Sequence, residues 1–215
     1  MDLQLGGESV LSRSECLLTF IAGYTASGNR DGLRAAWQAL DSADSPGAIE
    51  VILQTHLFAG YPRTINALNV VRGLGEPSAS EHRESHEAAA IAIDWETPGE
   101  ALCSLIYGDN YSKLRVKMAG LHPDLDTWIL QVGYGRVLSR PGLSTRLREL
   151  CVIAVLAGQD VTPQLISHLR GAVHAGATVA ECQSVLEQTR FVWGEVAHNQ
   201  ALRVFEKIKS KLRAS

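Results

Sequence analysis

Helix start and stop signals follow one another through the last third of the chain, and they constrain the fold more than any other feature. Ser144 can cap one helix, and Thr162 with Pro163 can supply the N-cap and the first-turn proline of the next. Thr178 and Glu181 form a capping box that opens a third helix. No alternating apolar and polar runs flank a hairpin signal anywhere in the sequence. These patterns predict an all-α fold.

Similar signals recur 134 positions earlier, which predicts an internal repeat. A shift of 134 without a gap pairs Gly60 with Gly194 and Glu15 with Glu149. Other identities produced by this shift also fall at matching helix positions. We therefore expect two related helical halves that pack into one unit.

The expected division of the chain places a degenerate first copy at residues 1–72, a linker at 73–99 and a second copy at 100–215. The linker is polar and carries Pro and Ser. His82 and His86 lie four residues apart there and could grip a metal on a helix. No third ligand lies near them in the sequence, so a solvated linker is the better interpretation and no metal site is predicted.

Composition excludes several classes of partner. The chain has 20 Lys and Arg against 23 Asp and Glu, which gives no electrostatic reason to expect a nucleic acid or an anionic membrane surface. The longest apolar run, residues 150–157, is far shorter than the roughly 20 residues needed to cross a bilayer.

The N-terminal sequence resembles no secretory signal, so a cytoplasmic location is expected. Four scattered cysteines are interpreted as buried thiols.

Two ionisable residues interrupt apolar helices. Glu149 precedes a stretch that is apolar all round, and His168 shares a helix face with Ala172. The two side chains could meet if their helices pack as an antiparallel hairpin. In one interpretation Glu149 pairs with Arg146 or Arg170, and His168 is an ordinary core histidine. In the other, Glu149 orients His168 and raises its basicity, so that His168 can move protons near neutral pH.

Several segments resemble the carboxymuconolactone decarboxylase family, within the AhpD-like superfamily of alkylhydroperoxidases. They are RPGLSTRLREL at 140–150, HLRGAVHAGATVAE at 168–181 and GYGR at 133–136. Residues 49–56 and 60–68 resemble the closing helices of the family more weakly. The resemblance implies an AhpD-like helical bundle built from two pseudo-symmetric repeats. Because single-domain members form rings, it also implies a homo-oligomer of fewer chains, such as a trimer.

The chain departs from the redox branch of that superfamily. That branch carries a CxxC between its Glu and its His, and the two cysteine positions are here Val161 and Gln164. Cys151 lies near Glu149 in sequence, but an apolar helix should raise its pKa and lower its reactivity. We therefore predict no dithiol peroxidase activity.

The resemblance to the decarboxylase branch implies a cofactor-free lyase that acts on a small carboxylated lactone or a related metabolite. His168 would carry the proton and Glu149 would be its partner. Arg146 and Tyr134 would hold and polarise the substrate, and Gln164 would line the site one turn before the histidine. The predicted partner is thus a small-molecule substrate.

Two alternatives remain beside this decarboxylase-like enzyme. One is an AhpD-like antioxidant protein that lacks its own CxxC, and the other is a non-catalytic binding or assembly protein of the same fold. The first copy has Arg34 at the position that corresponds to His168, so it is expected to be a structural half.

Overall fold

The structure, a computed structural model, describes residues 10–75 and 94–212. All regular structure in these residues is helical. The helices, in chain order, are α1 (Arg13–Ser27), α2 (Arg30–Gln38), α3 (Ser45–Arg72), α4 (Glu96–Tyr107), α5 (Tyr111–Leu121), α6 (Pro123–Trp128), a π-helix (Ile129–Leu138), α7 (Thr145–Leu156), α8 (Thr162–His174) and α9 (Val179–Leu212). The all-α prediction is confirmed.

Helices α1 and α7 occupy the centre of the main core. Residues 16–26 of α1 and 148–156 of α7 are buried without interruption. Both helices are apolar on every side, so they need neighbours on every side. Those neighbours are α2, α3, α8 and α9, and the resulting apolar cluster draws residues from both predicted halves of the chain.

A smaller second cluster joins α4, α5 and the π-helix. Its buried members are Cys103, Ile106, Leu130, Tyr134 and Leu138. Helix α4 and the π-helix cross with their backbones in contact, because a Cβ atom at Gly99 would overlap the Leu130 carbonyl and one at Gly135 would overlap the Trp95 carbonyl. This crossing holds Tyr134 in the cluster.

Helices α3 and α9 each consist of two helical segments that meet at a glycine. Gly60 has φ 79° and ψ 163°, and Gly194 has φ 79° and ψ 172°. That region of backbone space is essentially open only to glycine. The two glycines are the pair that the 134-residue shift aligns, and their matching geometry favours the internal repeat, which stays a prediction.

The predicted boundaries agree with the structure in part. The side chain of Ser144 caps α7, and Thr178 and Glu181 form the capping box expected at α9. Thr162 was expected to cap α8, but Val161 takes the N-cap position and Thr162 begins the helix. Helix α4 begins at Glu96, inside the predicted linker.

Most of the predicted linker, including His82 and His86, lies outside the described residues. No helix in the described ranges is long and apolar enough to cross a membrane.

Candidate active site

The structure brings Glu149 and His168 together. Helices α7 and α8 are joined by a short turn and pack against each other, which places His168 Nδ1 2.8 Å from Glu149 Oε2. Glu149 is 1% exposed and His168 is 6% exposed. An ionised carboxylate can only accept, so Nδ1 donates. Nε2 has no hydrogen-bond partner among the described residues.

Two further elements, α3 and α4, contribute walls to this pair. Phe58 of α3 meets the imidazole of His168 edge-on, with ring centroids 5.4 Å apart. Gly171 of α8 lies so close to the pair that a Cβ atom there would come within 2.8 Å of Glu149 Oε2 and 2.6 Å of Ile106 Cγ2. A glycine at this position is therefore what allows α4 to approach α8 over the buried carboxylate.

Two tyrosines extend the site along α4 and the π-helix. The rings of Tyr107 and Tyr134 meet edge-on at 80°, with centroids 6.3 Å apart. Burial raises the pKa of both phenols, and the charge of Glu149 raises it further. Both tyrosines are therefore neutral hydrogen-bond donors near neutral pH.

Tyr107 is the site residue that sequence reasoning missed. Its one visible signal is its place as the last residue of α4, directly before Gly108. Nothing local indicates that this helix end reaches α8.

The guanidinium of Arg146 is engaged away from the His168–Glu149 pair. It is 2.6 Å from Glu15 of α1 and also bonds Glu181 of α9. The alternative pairing of Glu149 with Arg146 is therefore not the one observed. Gln164 is exposed on the first turn of α8, four residues before His168. The substrate contacts predicted for Arg146 and Gln164 stay predictions, and that of Arg146 would require it to loosen an ion pair.

Arg148 is a second feature that the sequence did not reveal. It is 2% exposed and donates to Gln54 at 2.9 Å, to Glu50 at 3.1 Å and to the carbonyls of Arg140 and Pro141 at 2.8 and 3.0 Å. Burial lowers its pKa, while the charge of Glu50 opposes that effect. These bonds tie the loop before α7 to α3, and they fix the first turn of the helix that carries Glu149.

The thiols are poorly placed for redox chemistry. All four cysteines are free and buried, and burial raises the pKa of Cys103, Cys151 and Cys182 to about 12. A buried thiol with such a pKa forms little thiolate near neutral pH. Within the described ranges no group of three or more His, Cys, Asp or Glu side chains could hold a metal ion.

Comparison with known proteins finds a family match for the part of the chain that carries Glu149 and His168. Residues 123–207 match the model of the carboxymuconolactone decarboxylase family, which confirms the resemblance seen in the sequence. A 4-carboxymuconolactone decarboxylase from Acinetobacter baylyi is 32% identical over 85 residues, which cover 40% of this chain and 63% of that enzyme.

Two relatives of another name align over more of the chain. "Peroxisomal protein 2" of Schizosaccharomyces pombe is 28% identical over 180 residues, or 81% of this chain and 84% of the relative. "Peroxisomal protein 2" of Saccharomyces cerevisiae is 28% identical over 160 residues, or 63% of this chain and 56% of the relative. The alignments thus span less than two thirds of the A. baylyi and S. cerevisiae proteins.

Proposed function

Because residues 123–207 belong to the carboxymuconolactone decarboxylase family, we propose that this chain is a cofactor-free decarboxylase of a small carboxylated lactone or a related metabolite. One observation carries the proposal. His168 is held at Nδ1 by the buried carboxylate of Glu149, and its Nε2 has no hydrogen-bond partner among the described residues. This arrangement fixes the orientation and the tautomer of the ring, as a proton carrier requires.

The reaction needs one proton at carbon. The carbon–carbon bond to the substrate carboxylate breaks, its electron pair passes into the lactone carbonyl as an enolate, and CO₂ leaves. Protonated His168 then delivers its Nε2 proton to the enolate carbon and regains a proton from water. Glu149 holds the imidazole in place through Nδ1 during that transfer.

The two tyrosines supply neutral donors to the enolate oxygen. Tyr134 is 5% exposed, and the ring of Tyr107 packs edge-on against it. Hydrogen bonds in a water-poor site stabilise developing negative charge more than they stabilise the neutral carbonyl. Arg146 and Gln164 are proposed as further substrate contacts, as the family resemblance implies.

The direct test is turnover of 4-carboxymuconolactone, followed by CO₂ release and lactone consumption. We expect His168→Ala and His168→Asn to lose about 100-fold or more in kcat, because the proton carrier is removed. Asn keeps a donor toward Glu149, so it separates loss of chemistry from loss of folding. His122→Ala, an exposed histidine at the start of α6, should retain wild-type rates. Equal rates for wild type and His168→Asn would overturn the assignment of His168.

A peroxidase assay distinguishes the antioxidant alternative from the proposed decarboxylase. We expect no turnover of peroxide with a dithiol reductant, because all four thiols are buried and burial raises the pKa of Cys103, Cys151 and Cys182 to about 12. Turnover that disappears in Cys151→Ser would contradict this expectation. A folded chain without either activity would favour the non-catalytic binding or assembly protein.

The proposed location rests on the named relatives, and the proposed assembly rests on the family resemblance. The two relatives named "Peroxisomal protein 2" make the peroxisome a candidate location beside the cytoplasm. A homo-oligomer such as a trimer, and a small molecule as the partner, are retained from the family resemblance.

A further inference from the structure

A surface cavity of about 320 Å³ lies between α2 and the second segment of α3, in the predicted half that has no counterpart of His168. Its volume is at the lower end of the range for small-molecule sites. We call it the arginine cavity. Charged, amide and apolar side chains line it, among them Arg30, Arg34, Asn66, Asn69, Val70 and Leu74.

The cavity is positively charged. Arg30 has no ion-pair or hydrogen-bond partner in the described part of the chain. Within residues 10–75 and 94–212, the ion-pair partner of Arg34 is Asp31, at 3.0 Å, and 95% of the Asp31 side chain is exposed, so water screens that pair. Helix α2 and residues 61–72 together carry four arginines and one aspartate, in a chain whose net charge is −3. This local excess of arginine over acidic side chains favours an anionic ligand.

The rest of the lining indicates which kind of anion would fit. Asn66 and Asn69 lie three residues apart on α3, so their amides can bond a second polar group of the same ligand. Val70 and Leu74 add an apolar surface, which an organic ligand can cover and inorganic phosphate cannot. Guanidinium groups pair with carboxylates through planar, bidentate hydrogen bonds.

The predicted 134-residue repeat is consistent with a site at this place. Arg34 stands 134 positions before His168, so it occupies the position of the imidazole in the first half. Glu15, which corresponds to Glu149, is bound by Arg146 instead. Arg34 therefore does not pair with Glu15 in the way that His168 pairs with Glu149. Its ion pair is with the exposed Asp31, and its side chain lines the cavity.

We propose that the arginine cavity binds a small organic carboxylate, held by Arg30 and Arg34. This site is separate from the His168–Glu149 pair, and it does not depend on the proposed decarboxylase activity.

The test is calorimetric titration of the full chain with succinate at low ionic strength. Inorganic phosphate and neutral succinamide serve as comparison ligands. We expect saturable 1:1 binding of succinate, weaker binding of phosphate and none of succinamide. The double variant Arg30→Ala/Arg34→Ala should weaken succinate binding about tenfold or more, because two charge-assisted contacts are lost. Arg203→Ala, an exposed arginine of α9 outside the cavity, should bind as wild type does.

The outcomes discriminate between the explanations. A loss of succinate binding in His168→Asn, together with unchanged binding in the double variant, would assign the ligand to the other site and overturn the proposal. Phosphate binding tighter than succinate would overturn the carboxylate class. The absence of saturable binding for both anions would overturn the proposal itself, whatever the decarboxylase assay shows.

Discussion

The burial of Glu149 depends on a single side chain. A carboxylate that is 1% exposed among apolar helices is costly unless it is paired and hydrogen-bonded. His168 provides that hydrogen bond through Nδ1, and Nε2 has no hydrogen-bond partner among the described residues. The same contact thus contributes to stability and to the proposed chemistry. For this reason His168→Ala, which removes the imidazole, must be compared with His168→Asn, which replaces it with an amide.

Tyr107→Phe tests the tyrosines at the residue scale. The change removes one hydroxyl and keeps the ring that packs against Tyr134. If the phenols stabilise an enolate, kcat for the lactone should fall about tenfold to 100-fold with little change in KM. The melting temperature should move little, since Tyr107 is half-buried at a helix end.

Tyr111→Phe is the matched control for that measurement. Tyr111 bonds Glu100 and Arg115 on α4 and α5, outside the site. It should lose no activity. An unchanged kcat in Tyr107→Phe, or an equal loss in both variants, would show that the Tyr107 hydroxyl takes no part in the reaction.

At the scale of elements, the site depends on how closely helices cross. The π-helix presents Tyr134 to Glu149 because its backbone lies directly on α4 at Gly135 and Gly99. A side chain at either glycine would have to separate the two backbones. The position of Tyr134 therefore depends on the helix crossing and not on any single side-chain contact.

Gly135→Ala should destabilise the fold by about 3 kcal/mol, because the added methyl group overlaps the Trp95 carbonyl and a backbone cannot yield as a side chain can. Urea unfolding followed by circular dichroism measures the loss. Gly133→Ala is the control in the same helix, since a Cβ there meets nothing within 4 Å. It should change stability by about 1 kcal/mol or less. Equal effects in the two variants would contradict the crossing.

Local signals predicted the element types well and the crossings poorly. Ser144 and Thr178 could be identified as caps because capping is a contact within four residues. Gly60 and Gly194 could be paired by their spacing. The widened turns after Ile129 could not be predicted, because they accompany the fit of that helix against α4, about 30 residues away in sequence.

The candidate site divides in the same way. Glu149 and His168 could be found because each breaks an apolar run on its own helix. Tyr107 and Arg148 could not, since their roles arise from helices that meet only in the folded chain.

At the scale of the whole molecule, the two predicted halves share one core and are joined by polar bridges. Arg148 of α7 bonds Gln54 and Glu50 of α3. Arg146 of α7 bonds Glu15 of α1 and Glu181 of α9. The chain should therefore unfold as one cooperative unit, and each bridge should contribute to the stability of both halves.

Arg146→Gln measures the second of these bridges through its pH dependence. Burial alone would raise the pKa of Glu15 and Glu181, but hydrogen bonds and charge from Arg146 hold both below the usual 4.5. A carboxyl group whose pKa is lower in the folded chain stabilises it above the unfolded pKa, and this stabilisation is lost as pH falls through the folded value. Wild type should thus exceed Arg146→Gln by about 2 kcal/mol in free energy of unfolding at pH 7, and by progressively less below about pH 4.5.

Urea unfolding between pH 7 and pH 3.5 measures that difference directly. Glu50 also has a lowered pKa, but both proteins retain it, so its effect largely cancels in the comparison. Arg34→Gln is the control, because its ion pair with Asp31 is exposed and should contribute little at any pH. A difference that stays constant into acid would mean that Arg146 stabilises the chain by packing its stem, since packing between α1, α7 and α9 does not titrate.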